Sequence, residues 1–208
     1  MRGHDTSRML VAIGQSYVSS VQSVCVFQYR PAGCFLCLGR MDIHGFKVVP
    51  ATPSDVSLIA NFITAFADEH RMNAAVRINE GRLTKCLFGT ERTAEAFIGY
   101  QHDDPVSYAL FFTDFSSFTG ETGLYLEDLY VRPEARGSGI GGQMLRHLAK
   151  LALARGHRRI RWCSLKNNYA AKQFYLRQGA NRLDDFLLFQ LAGKRLEALA
   201  CQWAESHQ

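Results

Sequence analysis

The sequence has no apolar run long enough to cross a membrane as a helix; Met9-Leu-Val-Ala-Ile13 falls far short of the roughly 20 residues a span needs. It has no basic run and no patch of interleaved basic and aromatic residues. Its 208 residues carry 24 Lys and Arg against 19 Asp and Glu, a formal charge of +5. Four arginines (Arg2, Arg8, Arg30 and Arg40) against Asp5 put +3 of that charge in residues 1–40. The +2 left for the remainder argues against a nucleic-acid partner. Seven histidines are scattered with no His-x-x-x-His pair and no cysteine partner set, so no metal site is expected. Six cysteines are also scattered, at 25, 34, 37, 86, 163 and 201, and are expected as reduced thiols. Cys34-Phe-Leu-Cys37 has redox or zinc spacing, but it has no second pair and no strand–helix context, and reads as coincidence. Cys163 reads as a small core residue of a strand. No repeat, low-complexity tract or linker follows residue 41. With 47% hydrophobic and 21% charged residues, the chain can bury one sizeable core without staples.

Residues 1–40 show neither helical nor alternating period. A secretory signal fits poorly, because the apolar stretch is short. A transit peptide fits the arginine and serine bias but lacks an amphipathic face. The favoured reading is that the domain starts at Met41, so that 1–40 is an extra segment, poorly ordered or not part of the native domain, and 41–208 is the domain.

From there the pattern alternates strands and helices. Phe46–Val49 reads as a strand. Thr52-Pro53-Ser54-Asp55 opens a helix that buries Val56, Ile59, Phe62, Ile63 and Phe66 and ends near His70. A short helix is expected over 80–87, closed by Gly89. Residues 94–100 and 106–114 read as an antiparallel pair across Gln101-His-Asp-Asp-Pro105, and 115–122 as an aromatic loop. Leu124–Val131 is a strand, followed by a helix that Gly156 ends. A strand over 159–164 would lie parallel to it, because a helix intervenes. A helix capped by Asn168, a late strand over 186–190 and an amphipathic helix over 191–203 complete the pattern.

Between Val131 and Leu145 lies the stretch around which the rest is arranged. Arg136-Gly-Ser-Gly-Ile-Gly-Gly142 leads into Ile140, Met144, Leu145, Leu148, Leu151 and Ala152 at helical spacing, so the glycines sit where a helix begins. Unpaired N–H groups and the positive dipole end gather there, and glycine lets an anion approach the backbone closely. The spacing is neither that of a P-loop, which requires Gly-Lys-Ser/Thr, nor that of a dinucleotide fingerprint. Ser138 lacks the spacing of a nucleophile elbow.

The pattern Arg136-x-x-Gly139-x-Gly141 resembles the pyrophosphate loop of the Gcn5-related N-acetyltransferases. The flanks, Leu124-Tyr-Leu-Glu-Asp-Leu-Tyr-Val131 and Asn168-Tyr-Ala-Ala-Lys-Gln-Phe-Tyr-Leu-Arg-Gln-Gly-Ala180, resemble the spermidine/spermine and thialysine branch of that family. The resemblance implies an α+β fold with a mixed central sheet flanked by helices and a splayed parallel strand pair around the coenzyme. It implies acetyl-CoA as co-substrate, with Leu129, Tyr130, Val131, Arg136, Gly137, Ser138, Gly139, Ile140, Gly141, Gly142, Asn168 and Tyr175 around it. It also implies a small primary amine as acceptor (a polyamine, a diamine or an amino acid-like amine), a cytoplasmic enzyme and a homodimer. Acetylation of a protein N-terminus or lysine, and coenzyme sensing without turnover, are the alternatives. Two departures stand out. Glu69 and His70 occupy the places of the family's aromatic and glutamate, and Leu165-Lys166-Asn167 replaces an acid and a tryptophan. Glu69 reads as a solvated helix end.

Acetyl transfer to an amine needs a neutral nucleophile, a held oxyanion and a proton for the thiolate. An alkylamine with a pKa near 10 is neutral in about one molecule in a thousand at pH 7, so a base is required. The resemblance assigns that role to Glu127, directly or through water, and the acid role to Tyr175. A backbone N–H of Leu129 or Tyr130 would hold the oxyanion if the strand is bulged. On the residues alone, Glu127 also fits an exposed strand carboxylate, and Tyr175 a ring packed on the pantetheine arm. Strand alternation would turn Asp128 to the opposite face, unless a bulge intervenes.

Overall fold

The computed structural model describes residues 45–205, with side chains through 201; the expectations for residues 1–40 lie outside them. Strand β1 (Phe46–Pro50) leads to a single 3-10 turn (Pro53–Asp55) and helix α1 (Val56–Glu69). The start of this unit is fixed as the sequence suggests. The Thr52 N–H donates to Asp55 Oδ2 at 2.7 Å, and Pro53 needs no partner in the first turn. Helix α2 (Glu80–Phe88) is capped by Asn79, whose Oδ1 accepts from the Arg82 N–H at 2.9 Å. Gly89 closes it because a Cβ there would lie 2.5 Å from the Lys85 carbonyl oxygen.

Strands β2 (Glu95–Gln101), β3 (Asp104–Ser116) and β4 (Glu121–Val131) form an antiparallel meander. The turn and loop that join them are shorter than the sequence suggests, because strand pairing extends further. Only His102 and Asp103 separate β2 from β3, and Pro105 is already paired with Tyr100. Helix α3 (Ile140–Ala154) then crosses to β5 (Ile160–Arg161), which lies parallel to β4. The sheet order is β1-β2-β3-β4-β5.

The two faces of the sheet carry separate cores. Ile140, Met144, Leu145, Leu148 and Ala152 of α3 pack on Phe97, Phe111, Leu124 and Leu126. On the other face Val56, Ile59 and Phe62 of α1, with Leu83 and Leu87 of α2, pack on Ile98, Tyr108 and Tyr130. Fully burying a side chain of this kind contributes about 1.5–3 kcal/mol, so the core of each face fixes the helix that covers it. The α3 helix ends where glycine permits. Gly156 has φ +79°, and the His157 N–H reaches back to Ala152 O at 2.8 Å.

Helices α4 (Tyr169–Arg177) and α5 (Lys194–Glu205) complete the described chain. Three expectations are corrected here. The strand after α3 is paired over two residues rather than six, which leaves Cys163 exposed beyond it, near the Tyr125 hydroxyl at 3.2 Å. The late strand over 186–190 does not form. A strand exists only against a neighbour's ladder, and among the described residues the short β5 presents none to it. Leu187, Leu188 and Phe189 accordingly stand exposed. The terminal helix begins at Lys194 instead of 191, just after Gly193 at φ +57°.

Candidate active site

The candidate site lies where β4 and β5 part. Their pairing ends at Tyr125↔Arg161, while β4 continues to Val131. Beyond Tyr125, no strand covers that edge of β4 among the described residues, so its outward-facing backbone groups are available to a ligand. One polar lock holds β5 in place. Asp114 of β3 accepts from Arg159 Nη2 at 2.9 Å and from Arg161 Nε at 3.0 Å. This reach passes over Gly123 of β4, where a Cβ would come within 2.6 Å of the Arg159 side chain.

A bulge sets the faces of the catalytic candidates. Phe111 pairs with Leu126 but Leu110 pairs with Asp128, so Glu127 is the extra residue of β4. Leu124 and Leu126 pack toward α3, and after the bulge Leu129 and Val131 do so. Asp128 and Tyr130 are thereby turned to the α1 face. Asp128 accepts a hydrogen bond from the Tyr108 hydroxyl at 2.9 Å. Tyr108 is itself fully buried and stacked on Phe62 at 5.4 Å.

The three ionisable groups beside the bulge are all shifted toward their protonated forms. Partial withdrawal from water raises the Glu127 carboxyl, and the Asp128 charge adds to this. Burial raises Asp128 as well, against the opposing hydrogen bond from Tyr108. Tyr175 in α4 packs on Trp162 at 4.9 Å and Phe174 at 5.1 Å between ring centroids. Its phenol is pushed up to about 12, first by burial and then by Asp128. The charge of Asp128 therefore reaches both Glu127 and Tyr175. Sequence reasoning assigned Asp128 no catalytic task, and its central place follows from a bulge that depends on pairing with β3.

The glycine loop has the form expected of an anion cradle. A 3-10 turn (Pro133–Ala135) follows β4, and Ser138 Oγ donates to Ala135 O at 2.6 Å. Gly137 and Gly139 have φ of +78° and +91°, and Gly139 is the N-cap of α3 with no side chain capping the helix. The N–H groups of Ile140, Gly141 and Gly142 precede the first intrahelical bond of α3, which the Gln143 N–H makes to Gly139 O at 3.1 Å. A Cβ at Gly141 would lie 3.1 Å from the Phe174 ring, so glycine also lets α4 pack against the cradle. Asn168 caps α4, its Oδ1 accepting from the Ala171 N–H at 3.0 Å. These features fit a coenzyme with a pyrophosphate and a long arm.

At the other side of the site stands the end of α1. Glu69 is an exposed helix end, as the sequence suggests, and it also has a partner. Its two carboxylate oxygens accept from Arg136 Nη1 and Nη2, each at 2.6 Å. His70 lies edge-on to Phe66 at 4.6 Å, and Phe66 edge-on to Tyr130 at 6.3 Å. No group of three or more His, Cys, Asp or Glu side chains suited to a metal occurs among the described residues, and no described helix is long and apolar enough to cross a membrane.

The sequence matches the acetyltransferase (GNAT) family over residues 63–180, a span that contains the β4 bulge, the cradle and Tyr175. The chain belongs to that family. It is 29% identical over 161 residues to a thialysine N-epsilon-acetyltransferase of Bos taurus, covering 72% of this chain and 94% of the relative. It is 33% identical over 107 residues to an L-ornithine N5-acetyltransferase of Arabidopsis thaliana, covering 50% and 47%. An integron cassette protein from the mobile metagenome of V. cholerae shares the fold, with a TM-score of 0.63 at 24% identity, over 75% of this chain and 98% of that one.

Proposed function

We propose that this acetyltransferase moves the acetyl group of acetyl-CoA to the primary amine of a small molecule, by direct attack in a ternary complex. What supports the reading is one juxtaposition: Glu127 at the bulge and Tyr175 on α4, both within reach of the Asp128 charge, beside the glycine cradle. The coenzyme supplies an activated acyl thioester. The backbone N–H groups of Gly137–Gly142 and the first turn of α3 would hold its pyrophosphate, with Arg136 opening the loop. Leu129, Tyr130 and Val131 offer backbone groups along the open edge of β4 to its arm, and an N–H of Leu129 or Tyr130 would face the carbonyl oxygen. A donor so placed is worth about 3 kcal/mol in the transition state.

Glu127 would take the proton of the arriving ammonium, directly or through water. Its raised proton affinity makes it a better base than an ordinary glutamate. Tyr175 would deliver a proton to the departing sulfur. A phenol held protonated up to about 12 stays loaded throughout the neutral range. An amino acid-like or diamine acceptor is favoured by the thialysine and ornithine relatives. A cytoplasmic homodimer is proposed on the family resemblance, and the exposed run at 187–189 is consistent with self-association.

Thiol release from acetyl-CoA, followed with thialysine, ornithine, lysine, spermidine and an N-terminal peptide, tests the reading. Turnover on small amines supports it. Turnover on the peptide alone would transfer the protein to the protein-modifying class, and coenzyme binding without any turnover would make it a sensor.

A further inference from the structure

Arg136 opens the glycine loop, yet its guanidinium is already engaged inside the protein. Nε donates to Val131 O at 2.8 Å, while Nη1 and Nη2 each donate to one oxygen of Glu69. Its plane lies over the Tyr130 ring at 5.5 Å. Three of its five N–H donors are thus used, by the exit of β4 and the last residue of α1, 67 positions away in sequence. The pair holds both charges. The Arg136 hydrogen bonds keep the Glu69 carboxyl below its ordinary range, and Glu69 raises Arg136.

We infer that Glu69 is a positioning residue that holds Arg136 as a clasp between α1, the exit of β4 and the coenzyme loop, and that Arg136 shapes the cradle rather than contacting the pyrophosphate. The inference rests on the reading of the loop as a coenzyme cradle. A guanidinium neutralised by a bidentate carboxylate has little charge left for a second anion, and a pyrophosphate drawn to it would also meet the Glu69 carboxylate. The cradle does not require that side chain, because the N–H groups at the α3 start bind an anion from backbone. The clasp has a second consequence. Glu69 adjoins His70, which packs on Phe66, and Phe66 packs on Tyr130, so the wall expected to face the amine is seated by the same pair that seats the loop. Coenzyme side and amine side are joined through two side chains.

The test is a double-mutant cycle on acetyl-CoA binding, read by calorimetry at several salt concentrations, with Glu69→Gln, Arg136→Gln and the double variant. A clasp predicts that each single change weakens binding by about three- to tenfold and that the double change is no worse than the weaker single, because both remove one interaction. The dependence of affinity on salt should stay as in the wild type, since no phosphate contact is lost. The KM for the amine should rise with kcat nearly constant, and Glu69→Asp should recover most of the affinity. Glu69→Gln binding acetyl-CoA as tightly as wild type or tighter, with Arg136→Gln flattening the salt dependence, would overturn the clasp and make Arg136 a direct anion ligand. A wild-type protein that does not bind acetyl-CoA would instead overturn the cradle reading. The clasp is then still decided by amide hydrogen exchange in the coenzyme-free protein. Faster exchange at Gly137–Gly142 in Glu69→Gln supports it, and unchanged exchange contradicts it.

Discussion

On the proposed reading, the coenzyme side of the site is made of backbone and the amine side of side chains. At Gly137–Gly142 what matters is the absence of Cβ atoms, the left-handed φ at Gly137 and Gly139, and uncapped N–H groups at the start of α3. At the α1 end what matters is which side chains meet: Glu69 with Arg136, His70 with Phe66, Asp128 with Tyr108. A backbone device is set by glycine spacing alone, whereas a side-chain wall depends on which residues the fold brings together. The proposed catalytic pair stands on the border. Glu127 belongs to a backbone irregularity, and Tyr175 to an aromatic packing.

That contrast can be broken in a definite order. The largest effect is expected from Glu127→Gln, which should lower kcat at neutral pH by about 10² to 10⁴. The loss should shrink as pH rises toward the amine's own pKa, about 10, where neutral amine no longer has to be made. Thiol release followed against pH checks this, and a pH-independent loss would point to a structural role.

Gly139→Val comes next. It forces a Cβ onto a residue at φ +91° in the anion cradle, and should raise the acetyl-CoA dissociation constant by about tenfold or more. Calorimetry measures it, with amine-side KM expected to move far less. Equal shifts on both sides would erase the division between backbone and side-chain halves.

The smallest effect expected is from Asp128→Asn. The folded-state pKa of Asp128 is raised by burial, so the native protein holds this proton more tightly than the unfolded chain does. Stability from this group is therefore present below the unfolded value, about 3.9, and lost as pH rises through the folded one. Asp128→Asn, which can still accept from Tyr108, should raise the Tm at pH 7, with the advantage disappearing below about pH 4. The same change should lower the Tyr175 phenol and the Glu127 carboxyl, moving the limbs of the pH–rate profile to lower pH. A Tm gain that persists unchanged in acid would detach Asp128 from this linkage.

The sequence makes the helices legible through the spacing of Val56, Ile59 and Phe62 and of Met144, Leu145 and Leu148, and the cradle legible through Gly137, Gly139 and Gly141. These are local signals, each fixed within two or three turns of chain. The bulge at Glu127 is not local. Period-2 alternation predicts one face for Leu126, Asp128 and Tyr130, and only the register with Leu110 and Phe111 of β3 reveals the shift. The Glu69–Arg136 pair spans 67 residues, so the sequence around this exposed helix end gives no sign of the partner that the fold brings to it. The 186–190 run has strong strand composition, but composition cannot supply the neighbour that a strand needs.

The central claim, that an acid on α4 completes acetyl transfer at a cradle built from backbone, is tested most directly by Tyr175→Phe. The change deletes one oxygen and keeps the ring between Trp162 and Phe174. Acetyl-CoA affinity is predicted to stay within a few-fold of wild type while turnover falls by about 10² to 10⁴ across the neutral range, without recovery at high pH. Near-normal turnover with a small amine at every pH would contradict the account.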